Sequence, residues 1–210
     1  MNFLENYKAL KLEVNKLNKK QHLIVVTKNQ SIDGILPIIR NGHIHFGENR
    51  VQEAKEKWTP ILKNYKDIKL HLIGKLQSNK VKDAFVLFDF IHTLDSEKLA
   101  KKFSDLEFNS ERKIKYFIQI NIGNEVQKNG IESSIVKDFV NFCKGDLKLN
   151  VIGLMCIPPI NLDPRPFFKN MQKFKTDNDL DELSMGMSSD YKEALHYGST
   201  YLRIGSAIFK

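Results

Sequence analysis

Lys28 is the residue of this chain best placed to do chemistry. It follows Leu23-Ile24-Val25-Val26-Thr27, an apolar run that reads as a strand buried on both faces. A lysine at the carboxyl end of such a strand stands where α/β folds keep their reactive groups. Burial there disfavours the ammonium form, and a neutral amine attacks carbonyl carbon. The plainer alternative is that Lys28 marks where the strand meets solvent. The ends of the other apolar runs supply Asn49, Gln77, Asn121, Met155, Ser188, and Arg203 with Gly205-Ser206. The set holds one candidate nucleophile, several amides, one arginine and two turns of small residues. Met185-Gly186-Met187-Ser188-Ser189-Asp190 runs from a strand into a helix start, and Arg203-Ile204-Gly205-Ser206 closes the last apolar run. Such turns bind phosphate through backbone N–H groups and a helix amino terminus. Gly205 lets the backbone come close, and the hydroxyls of Ser188 and Ser206 add donors. Taken alone, both are ordinary turn glycines and cap serines. With an amine on the same rim, they point to a phosphate ligand that carries an aldehyde. Glu48 is the only carboxylate adjacent to these positions, so no acidic pair suits glycoside chemistry. His43, His45, His71 and His92 lack the clustering of a zinc site and read as core or strand-end residues.

The elements that must position these residues alternate strictly. Short apolar strands begin at 23, 43, 69, 90, 116, 151, 182 and 201, with helical spacing between them. Ser31 is expected to cap a helix kinked at Pro37, and Asp95 or Ser96 to cap the helix over 97–106. Eight parallel strands in βα alternation predict a closed (β/α)8 barrel of the TIM type. A doubly wound open sheet fits less well, because no GxGxxG follows the first strand. The chain stops just after the eighth strand, so the leading helix over 3–18 is expected to fill the place of an eighth helix. No linker or low-complexity segment appears, and residues 1–210 read as one domain.

The 33 basic and 25 acidic residues leave a net charge of +8, which suits an anionic ligand. The lysines are spread along the chain without a basic block or interleaved aromatics, which argues against nucleic acid. Cys143 and Cys156 lie in apolar surroundings without CxxC spacing and read as reduced core thiols. The absence of a signal core or a membrane-length apolar run predicts a cytoplasmic protein with no membrane association.

Six segments, in order, carry a resemblance to a known family. They are Val25-Val26-Thr27-Lys28, residues 46–53 (FGENRVQE), 71–80 (HLIGKLQSNK), 153–159 (GLMCIPP), 183–188 (LSMGMS) and 203–209 (RIGSAIF). Together they resemble the pyridoxal phosphate homeostasis family, from the first strand to the end of the chain. The resemblance implies a fold type III barrel like the cofactor half of alanine racemase. It implies that Lys28 holds pyridoxal 5′-phosphate as a Schiff base and that Ser188, Gly205 and Ser206 hold the phosphate. It further implies that Arg203 faces the pyridine nitrogen and that Asn49 and Met155 line the ring pocket. A monomer that carries the cofactor to apo-forms of pyridoxal phosphate enzymes, with little catalysis of its own, is the expected function. A small racemase or lyase on the same site is the alternative. The chain departs from the usual pattern at Gln30, Arg50 and Lys75. Lys128, in the loop after strand five, matches a family lysine and is either a secondary acceptor or an ordinary surface residue.

Overall fold

The computed structural model describes residues 2–17 and 21–210. The leading helix, α1 (Phe3–Leu17), matches its expected span except for Asn18, which lies outside the described residues. Eight strands follow: β1 (His22–Val26), β2 (His45–Glu48), β3 (Lys69–Leu72), β4 (Phe90–Leu94), β5 (Lys115–Ile120), β6 (Val151–Cys156), β7 (Glu182–Ser184) and β8 (Tyr201–Ile204). Each pairs in parallel with its sequence neighbours, and β8 returns to β1 through His22↔Tyr201 to Val25↔Ile204. The sheet is therefore a closed barrel, as the alternation predicted, and not the open doubly wound sheet that was the alternative.

Between the strands lie α2 (Ile32–Arg40), α3 (Val51–Leu62), α4 (Val81–Leu87), α5 (Glu97–Phe108), α6 (Val136–Asn141), α7 (Arg165–Asp177) and α8 (Tyr191–His196), and α9 (Ser206–Phe209) ends the chain. Ser31 caps α2 by accepting from Gly34 N, and Ser96 rather than Asp95 caps α5 by accepting from Leu99 N. The α2 helix runs through Pro37 to Arg40 without interruption, held on its inner face by buried Ile35, Ile38 and Ile39. The α9 helix has a single turn, and α1 packs against it. Phe3 and Phe209 meet edge to face at 5.4 Å, and Asn6 Nδ2 donates to Ile208 O at 3.1 Å.

Two buried clusters explain why the strands are apolar on both faces. The larger fills the layer between sheet and helices and includes Leu23, Val25, Phe46, Leu70, Leu72, Ile118, Leu154, Leu183 and Leu202. The smaller joins Ile24, Phe90, Phe117, Met155 and Tyr201. These residues come from five strands around a closed sheet, so they meet inside the barrel.

Strand seven ends at Ser184, before the Met185-Gly186-Met187 stretch that reads from sequence as running out of the strand. Beyond it, side chains take Met185 O and Met187 N, while Gly186 O keeps one bond to β8 by accepting from Arg203 N at 3.0 Å. Ser199 Oγ donates to Met185 O at 2.6 Å, Gly186 turns to φ +93°, and Asp190 Oδ1 accepts from Met187 N at 2.6 Å. The backbone thus bends into the loop that carries Ser188.

Candidate functional site

The β1 strand stops at Val26, and the next two residues are held differently. Thr27 is fully buried, whereas Lys28 is exposed. The sequence expectation of a buried amine is corrected here: the strand end is sealed but the lysine side chain leaves it. What is sealed is a clamp beneath Lys28. Glu48 Oε1 accepts from Thr27 Oγ1 at 2.7 Å, Trp58 Nε1 at 2.9 Å and Lys57 Nζ at 3.0 Å. Lys57 Nζ also donates to Thr27 O at 2.7 Å and to Glu53 Oε1 at 3.1 Å, and Asn29 N donates to Glu53 Oε1 at 2.7 Å. The backbone on both sides of Lys28 is therefore tied to α3. Glu48 acts as part of this support rather than as a rim acid.

Asn49 follows β2, and its backbone lies against Gly74. A Cβ at residue 74 would fall 2.2 Å from Asn49 O and 2.7 Å from Asn49 Cα, so only glycine allows this approach. Gly205 after β8 lies close to β1 more loosely, since a Cβ there would stand 3.2 Å from Val26 Cβ and Val26 O, a tight contact that a small shift relieves. Ser188 Oγ accepts from Ala207 N at 3.2 Å, which joins the turn after β7 to the turn after β8.

Arg203 is buried at the base of this rim. Its Nη1 donates to Ser184 Oγ at 2.6 Å and its Nη2 to Cys156 O at 2.8 Å. Burial pulls its pKa below the usual arginine value, and the guanidinium keeps its charge. Among the described residues no carboxylate forms an ion pair with it. Burial also raises the Asp190 carboxyl and pushes the Cys156 thiol up to about 12.

These groups border one cleft of about 390 Å³, lined by Lys28, Asn49, Ser188, Arg203, Gly205 and Ser206, with Val26, Ile73, Ile157, Met187 and Ser189. Six of the seven residues expected from sequence come together there. The seventh, Met155, is fully buried in the cluster inside the barrel, and the apolar walls of the cleft are Val26, Ile73 and Ile157. Gln77 is exposed outside it. Asn121 closes its own loop instead, donating to Glu125 O at 2.9 Å and accepting from Glu125 N at 3.1 Å. Lys128 pairs with Glu125 at 2.5 Å, donates to Pro158 O at 3.2 Å and lines a separate hollow of about 150 Å³. A wider hollow of about 500 Å³ adjoins the cleft at Met187 and Ser189, but neither Lys28 nor Arg203 lines it.

Below Arg203 the histidines form a connected row. His45 Nδ1 lies 2.9 Å from His71 Nε2, His71 Nδ1 lies 2.9 Å from His92 Nε2, and His92 Nδ1 lies 2.8 Å from Ser184 Oγ. Burial holds His71 and His92 well below the ordinary histidine range and His45 at about 4. From sequence these residues read as core or strand-end histidines, and their alternate positions on β2, β3 and β4 were the available sign that they face one interior. Among the described residues, no group of acidic, histidine and cysteine side chains could hold a metal ion. Among the described residues, no helix is long and apolar enough to cross a membrane either.

The architecture defines a class: closed parallel barrels whose carboxyl mouth gathers an amine, an arginine and hydroxyl-bearing turns. The family model described as alanine racemase, N-terminal domain, matches residues 2–210. The chain is 34% identical to the pyridoxal phosphate homeostasis protein of Vibrio alginolyticus over 89% of this chain and 84% of that protein. It is 37% identical to the protein of that name from Buchnera aphidicola of Schizaphis graminum, over 91% and 87%. PipY of Synechococcus elongatus PCC7942, solved without PLP, superposes with a TM-score of 0.91 at 33% identity, covering 99% of this chain and 100% of PipY. PipY solved with PLP bound gives 0.88 at 32% identity. Alanine racemase from Corynebacterium glutamicum shares the fold, with a TM-score of 0.74 at 14% identity over 60% of its length. The chain belongs to the alanine racemase N-terminal domain family and, within it, to the pyridoxal phosphate homeostasis proteins.

Proposed function

We propose that this protein binds pyridoxal 5′-phosphate in the cleft at the carboxyl mouth of the barrel, with Lys28 as its covalent anchor, and acts in vitamin B6 homeostasis as a carrier. The convergence of Lys28, Arg203, Ser188, Gly205 and Ser206 on one cleft carries this reading. The residues fit the group by their chemistry. Lys28 offers an amine to the aldehyde, and the apolar walls of Val26, Ile73 and Ile157 suit a planar ring. The turn at Gly205 and the hydroxyls of Ser188 and Ser206 suit the phosphate. The likeness to PipY with PLP bound supports the same assignment.

When bound, the cofactor supplies an aldehyde for amine capture and a ring that can draw electrons from attached groups. The residues of this chain favour the first use over the second. Arg203 is the cation that would face the ring nitrogen, and a permanent cation there keeps the nitrogen unprotonated and weakens the electron sink. Among the described residues, the lining holds no phenol, carboxylate or imidazole to serve as a second acid or base opposite Lys28. A fixed Lys28 backbone with an exposed side chain suits capture and release. We therefore read the protein as holding the cofactor, keeping free aldehyde low and supplying apo-enzymes, as a cytoplasmic monomer. Asn49, placed by Gly74, completes the wall.

Visible absorbance before and after borohydride, followed by peptide mapping, tests this reading. Yellow protein that bleaches and leaves a reduced adduct on Lys28 is the expected result. Protein that takes up no added pyridoxal 5′-phosphate overturns it. Racemisation or elimination of amino acids at ordinary enzyme rates would replace the carrier role with that of a small racemase or lyase.

A further inference from the structure

We propose that His45, His71, His92 and Ser184 form a hydrogen-bond file of one polarity that positions Arg203. The inference deepens the reading of the cleft and rests on it for the role of the guanidinium.

The file starts at half-buried His45 near the amino-terminal mouth and ends at Arg203 beneath the cleft. Its links are 2.9, 2.9, 2.8 and 2.6 Å. Both inner rings are stacked, His71 on Phe90 at 4.2 Å and His92 on Phe117 at 4.3 Å, so neither can swing aside. His71, His92 and Ser184 are fully buried. Barrel interiors are normally filled by branched aliphatic side chains. Polar groups in such a place are costly unless each has a partner.

The direction of the file follows from the end that cannot change. A guanidinium only donates, so Ser184 Oγ accepts from Arg203. Its own proton has one partner among the described residues, His92 Nδ1. If Ser184 donates there, His92 carries its proton on Nε2 and donates to His71 Nδ1. His71 then carries its proton on Nε2 and donates to His45 Nδ1. Every ring is neutral and of the same tautomer. The opposite direction would make Ser184 accept twice and leave its hydroxyl proton unpaired in the interior. Charge agrees with neutrality. Arg203 faces His92 at one end, and at the other His22, Lys69 and Lys115 face His45. Arg203 therefore sets the polarity of the file, and the acceptor behind it, His71 Nδ1, lets His92 keep its proton on Nε2 and so leaves Nδ1 free to hold the Ser184 hydroxyl in place for Nη1.

The test is side-chain nitrogen NMR of the ligand-free protein at neutral pH, with pyridoxal 5′-phosphate titrated afterwards. The wild type is expected to show His45, His71 and His92 all protonated on Nε2, with distinct, slowly exchanging Nη1 and Nη2 signals from Arg203. His71→Phe removes the acceptor for His92. His92 is then expected to move its proton to Nδ1, the Arg203 signals to average, and cofactor retention to weaken about fivefold, the loss of one ordinary hydrogen bond. His71→Gln offers both an acceptor and a donor and is expected to restore all three readouts. A purely structural role for His71 would not move the tautomer of His92. A wild-type ring with its proton on Nδ1 overturns the file, and this holds even if His71→Phe does not fold. Unchanged Arg203 signals in a folded His71→Phe overturn the positioning role. A wild type with the expected tautomers that binds no pyridoxal 5′-phosphate removes the cofactor reading and leaves the file standing.

Discussion

The Lys57 ammonium lies 3.0 Å from the Glu48 carboxylate, with side chains only 9% and 0% exposed. The pair sits under Lys28, because the same ammonium donates to Thr27 O. Removing one partner leaves a charge buried and unpaired. Lys57→Met is expected to cost about 3–5 kcal/mol. Lys57→Met combined with Glu48→Gln should cost less than Lys57→Met alone. Urea unfolding of both variants and of Glu48→Gln measures the coupling, and additive losses would show that the pair does not act as a unit.

Lys28 itself belongs to the surface. Lys28→Ala is expected to leave unfolding free energy within about 0.5 kcal/mol of the wild type, as for surface substitutions generally. The same variant should lose the borohydride-reducible adduct completely. A large stability loss would mean that the side chain packs rather than reaches into the cleft.

Gly74→Ala places a carbon where the Asn49 backbone now stands, 2.2 Å from its carbonyl oxygen. Backbone cannot yield as a flexible side chain would. A loss of about 1–3 kcal/mol is expected from the forced shift. Weaker cofactor uptake should accompany it, since Asn49 lines the cleft. Denaturation midpoints and absorbance titration read the two effects separately.

Acid should destabilise the barrel through its histidines. In the folded chain His43 titrates at about 3 and His45 at about 4, each chiefly because burial disfavours the imidazolium, against an ordinary value of 6.5. The unfolded chain therefore binds more protons as pH falls below 6.5. The stability these groups confer is complete above that value and is lost progressively down to the folded values. Each contributes a slope of about 1.4 kcal/mol per pH unit within its window. His71 and His92, lowered by the same cause, steepen the decline. Urea midpoints measured from pH 7.5 to 4.5 should fall throughout the lower part of that range. A flat profile would mean that these rings take up protons in the fold as readily as in the unfolded chain.

The order of strands and helices was legible because it is local. Runs such as Val151–Cys156 carry their own signal, and their strict alternation with helices admits few topologies. The rim residues were legible for the same reason, since a barrel puts its site at the strand ends. Met155 shows the limit. It stands one residue before the end of the β6 run, yet the direction of its side chain follows from the barrel's pleat and places it inside with Phe90 and Phe117. The early end of β7 also escaped sequence, because Ser199 and Asp190 decide it from further along the chain.

By itself the sequence determined the eight-fold βα alternation, the gathering of Lys28, Ser188, Arg203 and Gly205 at one mouth, and the family. Each of these depends on residue type and spacing along the chain. Only the tertiary structure decided that Lys28 is exposed above a sealed Glu48–Lys57 clamp and that three histidines join end to end beneath Arg203. Barrel closure brings β2, β3, β4, β7 and β8 around one narrow interior. There, hydrogen bonds form between residues as far apart as His92 and Ser184, 92 positions along the chain. Neither spacing nor composition encodes a contact of that range.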